Sequence, residues 1–96
     1  MAPSEGAVLL DFWGSHCMPC RAVAPVVDKI EEDHRNELKV VRYNIEDDGD
    51  VAMTAAEQFG VQALPTLILL VGGQEKGRAV GNTAGSEITE LVNSNL

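Results

Sequence analysis

Val8-Leu9-Leu10-Asp11-Phe12-Trp13-Gly14-Ser15-His16-Cys17-Met18-Pro19-Cys20 runs from an apolar stretch into a cysteine pair. Val8 to Trp13 reads as a strand buried on both faces, because apolar residues fill odd and even positions alike. Beyond it, Val23, Val26, Val27 and Ile30 form an apolar stripe, with Asp28, Glu31 and Glu32 on the solvated side. That spacing predicts a helix from Met18 to about His34. Pro25 interrupts the pattern and predicts a kink about one turn past the cysteines. Cys17 and Cys20 then share the first turn and point the same way, close enough for a disulfide. A helix N-terminus also presents unpaired N–H groups and a positive dipole end, which favour a thiolate over a thiol. Strand, short loop, C-x-x-C and helix together make a site for reversible thiol–disulfide chemistry.

Working outward, Lys39 to Ile45 reads as a second strand, followed by an acidic loop from Glu46 to Asp50. Ala52, Ala55, Ala56 and Phe59 at helical spacing predict a short helix, with Asp50 as its N-cap and Gly60 as its stop. Thr66 to Val71 is a central-type strand, and Gly72-Gly73 a hairpin turn into Glu75 to Val80. Ser86 or Thr83 caps a last helix that buries Ile88, Leu91 and Val92. The order β-α-β-α-β-β-α predicts an α/β domain with a mixed sheet, occupying residues 1–96 as one unit.

Composition narrows the function classes. With 96 residues and 45% hydrophobic content the chain supports one core, and aromatics at 4% leave Val, Leu, Ile and Ala to fill it. A formal charge of −8 argues against nucleic acid and anionic membrane as partners, since both need a basic surface. The longest apolar run, Leu67 to Val71, is far too short to span a bilayer. The opening residues Met1 to Gly6 lack the charged and apolar blocks of a signal peptide, so a reducing cytoplasm is the expected location. An acidic, monomeric protein that meets other proteins transiently fits these features.

Only two cysteines are present, both in one motif, so no disulfide framework staples distant segments. The competing assignments for the pair are a structural disulfide and half of a zinc site. A second ligand pair is missing, because His16 and His34 are the only histidines. No bound metal or cofactor is expected.

Asp11 to Arg21, followed by Ala24-Pro25, resembles the active-site strand, loop and kinked helix of thioredoxins. Tyr43-Asn44-Ile45-Glu46, Phe59-Gly60-Val61, Leu64-Pro65-Thr66 and Val80-Gly81 follow in that family's order and spacing. The resemblance covers about Gly6 to Leu96. It implies a thioredoxin-like fold and reduction of protein disulfides by dithiol exchange. The electrons would come from a thioredoxin reductase supplied by NADPH or another donor, and the partners would be disulfide-containing proteins.

Cys17, at the helix N-cap, is the candidate nucleophile; Cys20, one turn in and shielded, is the candidate resolving thiol. Pro19 costs little on a first turn, removes a donor near Cys17 and stiffens the loop. Met18 stands where thioredoxins usually carry glycine, adding apolar contact surface beside the nucleophile. Asp11 is a charged residue in an apolar strand and must be paired, neutralised or useful. One assignment is an ion pair with Arg42; the resemblance implies instead a proton acceptor for Cys20. Arg42 takes a place where thioredoxins often carry lysine, and if it reached Asp11 it would hold that carboxylate ionised.

His16 replaces the tryptophan that usually precedes the first cysteine. It is either an exposed loop residue or an imidazolium that stabilises the Cys17 thiolate. Trp13 matches the family's other tryptophan and is expected to pack beneath the loop. Leu64-Pro65 enters a strand, where proline is tolerated at the first residue. The resemblance implies a cis Pro65 facing the disulfide, with the backbone before it free to pair with extended substrate and Gly81 beside the same groove. One departure is clear. Thioredoxins usually place a further strand and helix before the segment matching Ala7 to Trp13. Four strands are therefore expected here, with Lys39 to Ile45 an edge guarded by Lys39 and Arg42, and one sheet face short of a covering helix. A carrier dedicated to one pathway, its targets narrowed by His16 and Met18, and a thioredoxin-shaped binding or metal-holding module are the alternative functions.

Overall fold

β1 (Ala7–Trp13) is apolar on both faces except at Asp11, and it occupies an interior position in the sheet. The computed structural model describes residues 6–96; residues 1–5, most of the opening stretch that lacks signal-peptide blocks, lie outside the described residues. α1 (Met18–Asp33), β2 (Leu38–Asn44), α2 (Gly49–Gln58), β3 (Thr66–Val71), β4 (Gln74–Val80) and α3 (Ala84–Asn95) follow in order. The strands form one mixed sheet in the order β2-β1-β3-β4. β1 pairs in parallel with β2 and antiparallel with β3, and β3 pairs antiparallel with β4. Gly72 and Gly73 have φ of 60° and 81°, the left-handed pair that a tight two-residue hairpin needs.

Alternation along β1 divides the core in two. Leu9 packs with Val23, Val27 and Ile30 of α1 and with Ile88 and Val92 of α3. Leu10 and Phe12 face the other way, against Ala55 and Ala56 of α2. Helices therefore cover both faces, as the element order implied. Asp11 belongs to the α1 face, on the parity of Leu9. On the α2 side Val8, Val41, Tyr43 and Leu70 are only half-buried, so this face is the less covered of the two. β2 is an edge among the described residues, with Lys39 and Arg42 exposed along it.

One cap differs from expectation, and a second takes one of its two expected residues. Asp48, not Asp50, is the N-cap residue of α2, and no side chain caps that helix end. The Asp48 carboxylate instead accepts the backbone N–H of Asn44 at 2.7 Å, a competing local bond of the kind Asp readily makes in turns. At α3, Thr83 occupies the cap position without a side-chain bond, after a single 3-10 turn from Gly81 to Thr83. Ser86 lies inside the helix, where its hydroxyl donates back to the Thr83 carbonyl at 3.2 Å. Leu91 is half-buried rather than buried.

Candidate active site

Cys17 is the N-cap of α1 in extended conformation, and its Sγ accepts the Cys20 N–H at 3.2 Å. The Arg21 N–H donates to the Cys17 carbonyl at 3.2 Å, the first bond of the helix. Pro19 follows within the first turn, where a missing N–H removes no helical bond. Cys17 and Cys20 form a disulfide with Cα atoms 5.2 Å apart. The two sulfurs differ in access: Cys17 is half-buried, whereas Cys20 is 5% exposed. Met18, between them in sequence, is 72% exposed. After reduction, the N–H aimed at Sγ and the positive helix end both favour negative charge on Cys17.

The loop before Cys17 is tied to the segment after β2. His16 donates its backbone N–H to Glu46 Oε2 at 2.8 Å, and its Nδ1 meets Glu46 Oε1 at 2.7 Å. Ser15 donates its hydroxyl to Asp47 Oδ2 at 2.7 Å and accepts from Asn44 Nδ2 at 2.9 Å. Arg21 Nη2 closes the other side by donating to the Ser15 carbonyl at 2.9 Å. His16 is thus an exposed loop side chain held by a carboxylate. The hydrogen bonds from its neighbours lower the Glu46 carboxyl below its usual range, the His16 backbone N–H contributing most.

Asp11 lies on the α1 face of β1, two residues before the strand ends, and is 7% exposed. Burial pushes its carboxyl from 3.8 up to about 6, against the lowering effect of the Arg42 charge; the Asp28 charge adds to the rise. Cys20 belongs to the buried stripe of α1 that covers this same face, with Val23, Val27 and Ile30. Arg42 is the Cα partner of Asp11 in the β1–β2 ladder, yet its guanidinium bonds elsewhere. Nη2 donates to Asp28 Oδ1 at 2.9 Å and to Glu31 Oε1 at 3.1 Å. Among the described residues no hydrogen bond joins Arg42 to Asp11.

Pro65 is cis and buried, with Leu64 half-buried before it. Thr66 pairs with Phe12 on one side and Val80 on the other. That register brings Leu64, Pro65 and Gly81 out at the sheet end where β1 releases the chain toward Cys17. The Gly81 N–H donates to the Pro65 carbonyl at 3.0 Å, joining the two segments. Trp13 is half-buried at the same end, its Nε1 without a hydrogen-bond partner among the described residues and its carbonyl accepting the Ile45 N–H at 2.8 Å.

The family model described as Thioredoxin matches residues 1–94. The chain belongs to the thioredoxin family. It is 37% identical over 93 residues to Thioredoxin 1 of Nostoc sp., a match spanning 97% of this chain and 83% of that protein. It is 34% identical over 93 residues to thioredoxin of Bacillus subtilis, spanning 97% of this chain and 86% of that protein. With thioredoxin of Synechocystis sp. the identity is 42% over 78 residues, 81% of this chain and 69% of that protein. Membership and the Cys17–Cys20 disulfide together make the chain a thiol–disulfide oxidoreductase, a disulfide reductase of the thioredoxin type.

Sequence reasoning passed over five residues that hold the loop: Ser15, Arg21, Asn44, Glu46 and Asp47. The signal available was the Tyr43-Asn44-Ile45-Glu46 motif, a polar ending to a strand at family spacing. No group of three or more His, Cys, Asp or Glu able to hold a metal is found among the described residues. No helix among them is long and apolar enough to cross a membrane.

Proposed function

We propose that Cys17 attacks the disulfide of a target protein and that Cys20 resolves the adduct with Asp11 as proton acceptor. The unequal access of the two sulfurs carries this assignment. The half-buried Cys17 sits at the helix end where thiolate is favoured, and Cys20, one turn in, is buried. In the first step the Cys17 thiolate forms a mixed disulfide and one target sulfur leaves as thiolate. In the second, Cys20 gives its proton to the Asp11 carboxylate and attacks the Cys17 sulfur. The bond to the target breaks and its second sulfur also leaves as thiolate; one proton returns from Asp11 and one comes from water, giving the target dithiol, and the Cys17–Cys20 disulfide remains. A carboxyl raised toward neutrality by burial suits this task, since a base works best with a pKa near the working pH.

Leu64, Pro65 and Gly81 form the backbone platform for an extended target segment, and Trp13 supports the loop from below. Met18 and Pro19 flank the reactive sulfur, Met18 supplying apolar contact and Pro19 stiffness. The exposure of Met18 and the fixing of His16 by Glu46 favour a restricted target set, so a carrier serving one pathway is the second reading. The chain works as a monomeric single domain in the cytoplasm, recharged by a thioredoxin reductase that draws on NADPH or another donor. Trapping in cell extract tests the chemistry. Cys20→Ser is expected to accumulate dithiothreitol-sensitive adducts and Cys17→Ser almost none. Equal trapping by both, or none by either, overturns the assignment and favours a binding or metal-holding module.

A further inference from the structure

Arg42 stands directly beside Asp11 in the ladder and on the same sheet face, yet it turns to α1. Asp28 and Glu31 are one turn apart on that helix and reach over the edge strand to take the guanidinium. Nη2 is shared between Asp28 Oδ1 at 2.9 Å and Glu31 Oε1 at 3.1 Å, while Nη1 lies 3.4 Å from Glu31 Oε2. An arginine fork held by two carboxylates has few donors left to offer a third. Asp11, a buried carboxylate with its natural cation next door, is left without it.

We propose that Asp28 and Glu31 are positioning residues for resolution: by holding Arg42 off Asp11, they leave that carboxylate free to take the proton of Cys20. The inference rests on Asp11 being the proton acceptor. A guanidinium bonded to Asp11 would stabilise its charged form and make it a poor base. The same guanidinium at the sheet edge acts on Asp11 only through space. The charges that act on the Asp11 carboxyl are Arg42 on β2 and Asp28 on α1. Cys20 belongs to the α1 stripe covering this face, and Glu31 shares the Arg42 guanidinium with Asp28. Arg21, Glu32 and Asp33 on α1, Lys39 on β2, and Glu87 and Glu90 on α3 are exposed. Lys29 is turned outward and paired with Asp33 at 3.3 Å. β3 places the apolar Leu67 opposite Asp11, and α3 covers this face with Ala84, Ile88 and Val92.

The test follows the Asp11 carboxyl by carbon NMR across pH, together with the pH dependence of single-turnover resolution of a mixed disulfide. Asp28→Asn combined with Glu31→Gln frees Arg42. The Asp11 midpoint and the acidic limb of the resolution profile are then expected to fall together by about one pH unit or more. Because removing two negative charges also acts through space, the same pair is made in an Arg42→Gln background. There the shift is expected to shrink to a small fraction of its size. An equal shift in both backgrounds, or no shift in either, overturns the inference. Asp11→Asn separates this from the underlying assignment. If it leaves resolution unchanged, Asp11 is not the acceptor and the proposed positioning role falls with it. If it slows resolution while the NMR midpoint ignores Asp28 and Glu31, only the positioning role is lost.

Discussion

Glu46 holds His16 with both carboxylate oxygens, one on the backbone N–H at 2.8 Å and one on Nδ1 at 2.7 Å. The residue immediately before the nucleophile is therefore anchored to a loop some thirty positions along the chain. Gly14 completes the arrangement, because a β-carbon there would lie 2.5 Å from Glu46 Oε2. The chain must approach this carboxylate without a side chain.

Protonating Glu46 weakens both bonds, and its carboxyl is lowered from 4.5 by them. The clamp is therefore present above the ordinary glutamate range and is lost as pH falls through the lowered midpoint. The His16 amide resonance is expected to titrate with a midpoint below 4.5. A midpoint at or above that value would show that the clamp is not formed in solution.

Gly14→Ala is expected to break the same clamp by displacing the Glu46 carboxylate, the flexible partner in the clash. Its effect on loop hydrogen exchange and on disulfide reduction is expected to match that of Glu46→Ala. The double variant is expected to be no worse than either single, since both remove one interaction. Fully additive effects would refute the shared cause.

Asp11→Asn is expected to stabilise the oxidised protein at alkaline pH. The folded carboxyl is raised to about 6 from 3.8, so the folded state binds the extra proton. Its stability contribution is complete below 3.8 and lost as pH rises through about 6. Above that, ionised Asp11 costs up to about 3 kcal/mol, less whatever a buried amide costs in its place. Urea unfolding at pH near 8 is expected to show the variant more stable, and the gap to close at pH near 3.5. A gap that widens in acid would contradict the burial argument.

Alkylation of the reduced protein is expected to label Cys17 before Cys20, because access and thiolate character coincide only at the helix N-cap. Peptide mapping reads the order. Preferential labelling of Cys20 would reverse the assigned roles.

Phe12→Ala is expected to destabilise the fold by about 3–5 kcal/mol, as large-to-small changes do in packed cores. Phe12 is fully buried and stacks on Tyr43 with ring centroids 5.1 Å apart. Its loss would loosen the strand just before the active loop, so reduction activity is expected to fall at temperatures near the lowered midpoint. Thermal unfolding followed by circular dichroism measures the change.

Much of this fold is legible in local pattern. The β1 run, the α1 stripe at Val23, Val27 and Ile30, and the Gly72-Gly73 turn each carry their own period or turn chemistry, and the element order follows from them. The cap of α2 is not legible in this way. Asp48 and Asp50 are equally good N-caps by type; the helix starts just after Asp48, and the carboxylate that could cap it is taken instead by the Asn44 N–H at the end of β2. The site divides similarly. Cys17, Cys20 and Asp11 stand out because a thiol pair at a helix start and a charge inside an apolar strand are locally anomalous. Asp28 and Glu31 look like ordinary solvated positions, and only the packing of α1 over the sheet edge gives them the Arg42 guanidinium to hold. Glu46 is similar: one acid among several in an acidic loop, distinguished by which backbone N–H happens to face it.

The confinement of both cysteines to a single disulfide has a stoichiometric consequence. Each reduced molecule stores one electron pair and can discharge it once, into one target bond. No further thiol of the chain can take over a stalled adduct or hold a reserve. Throughput then scales with the number of molecules multiplied by how often each is recharged, so supply of reducing equivalents, rather than any property of the sulfur chemistry, sets the ceiling on flux when targets are abundant.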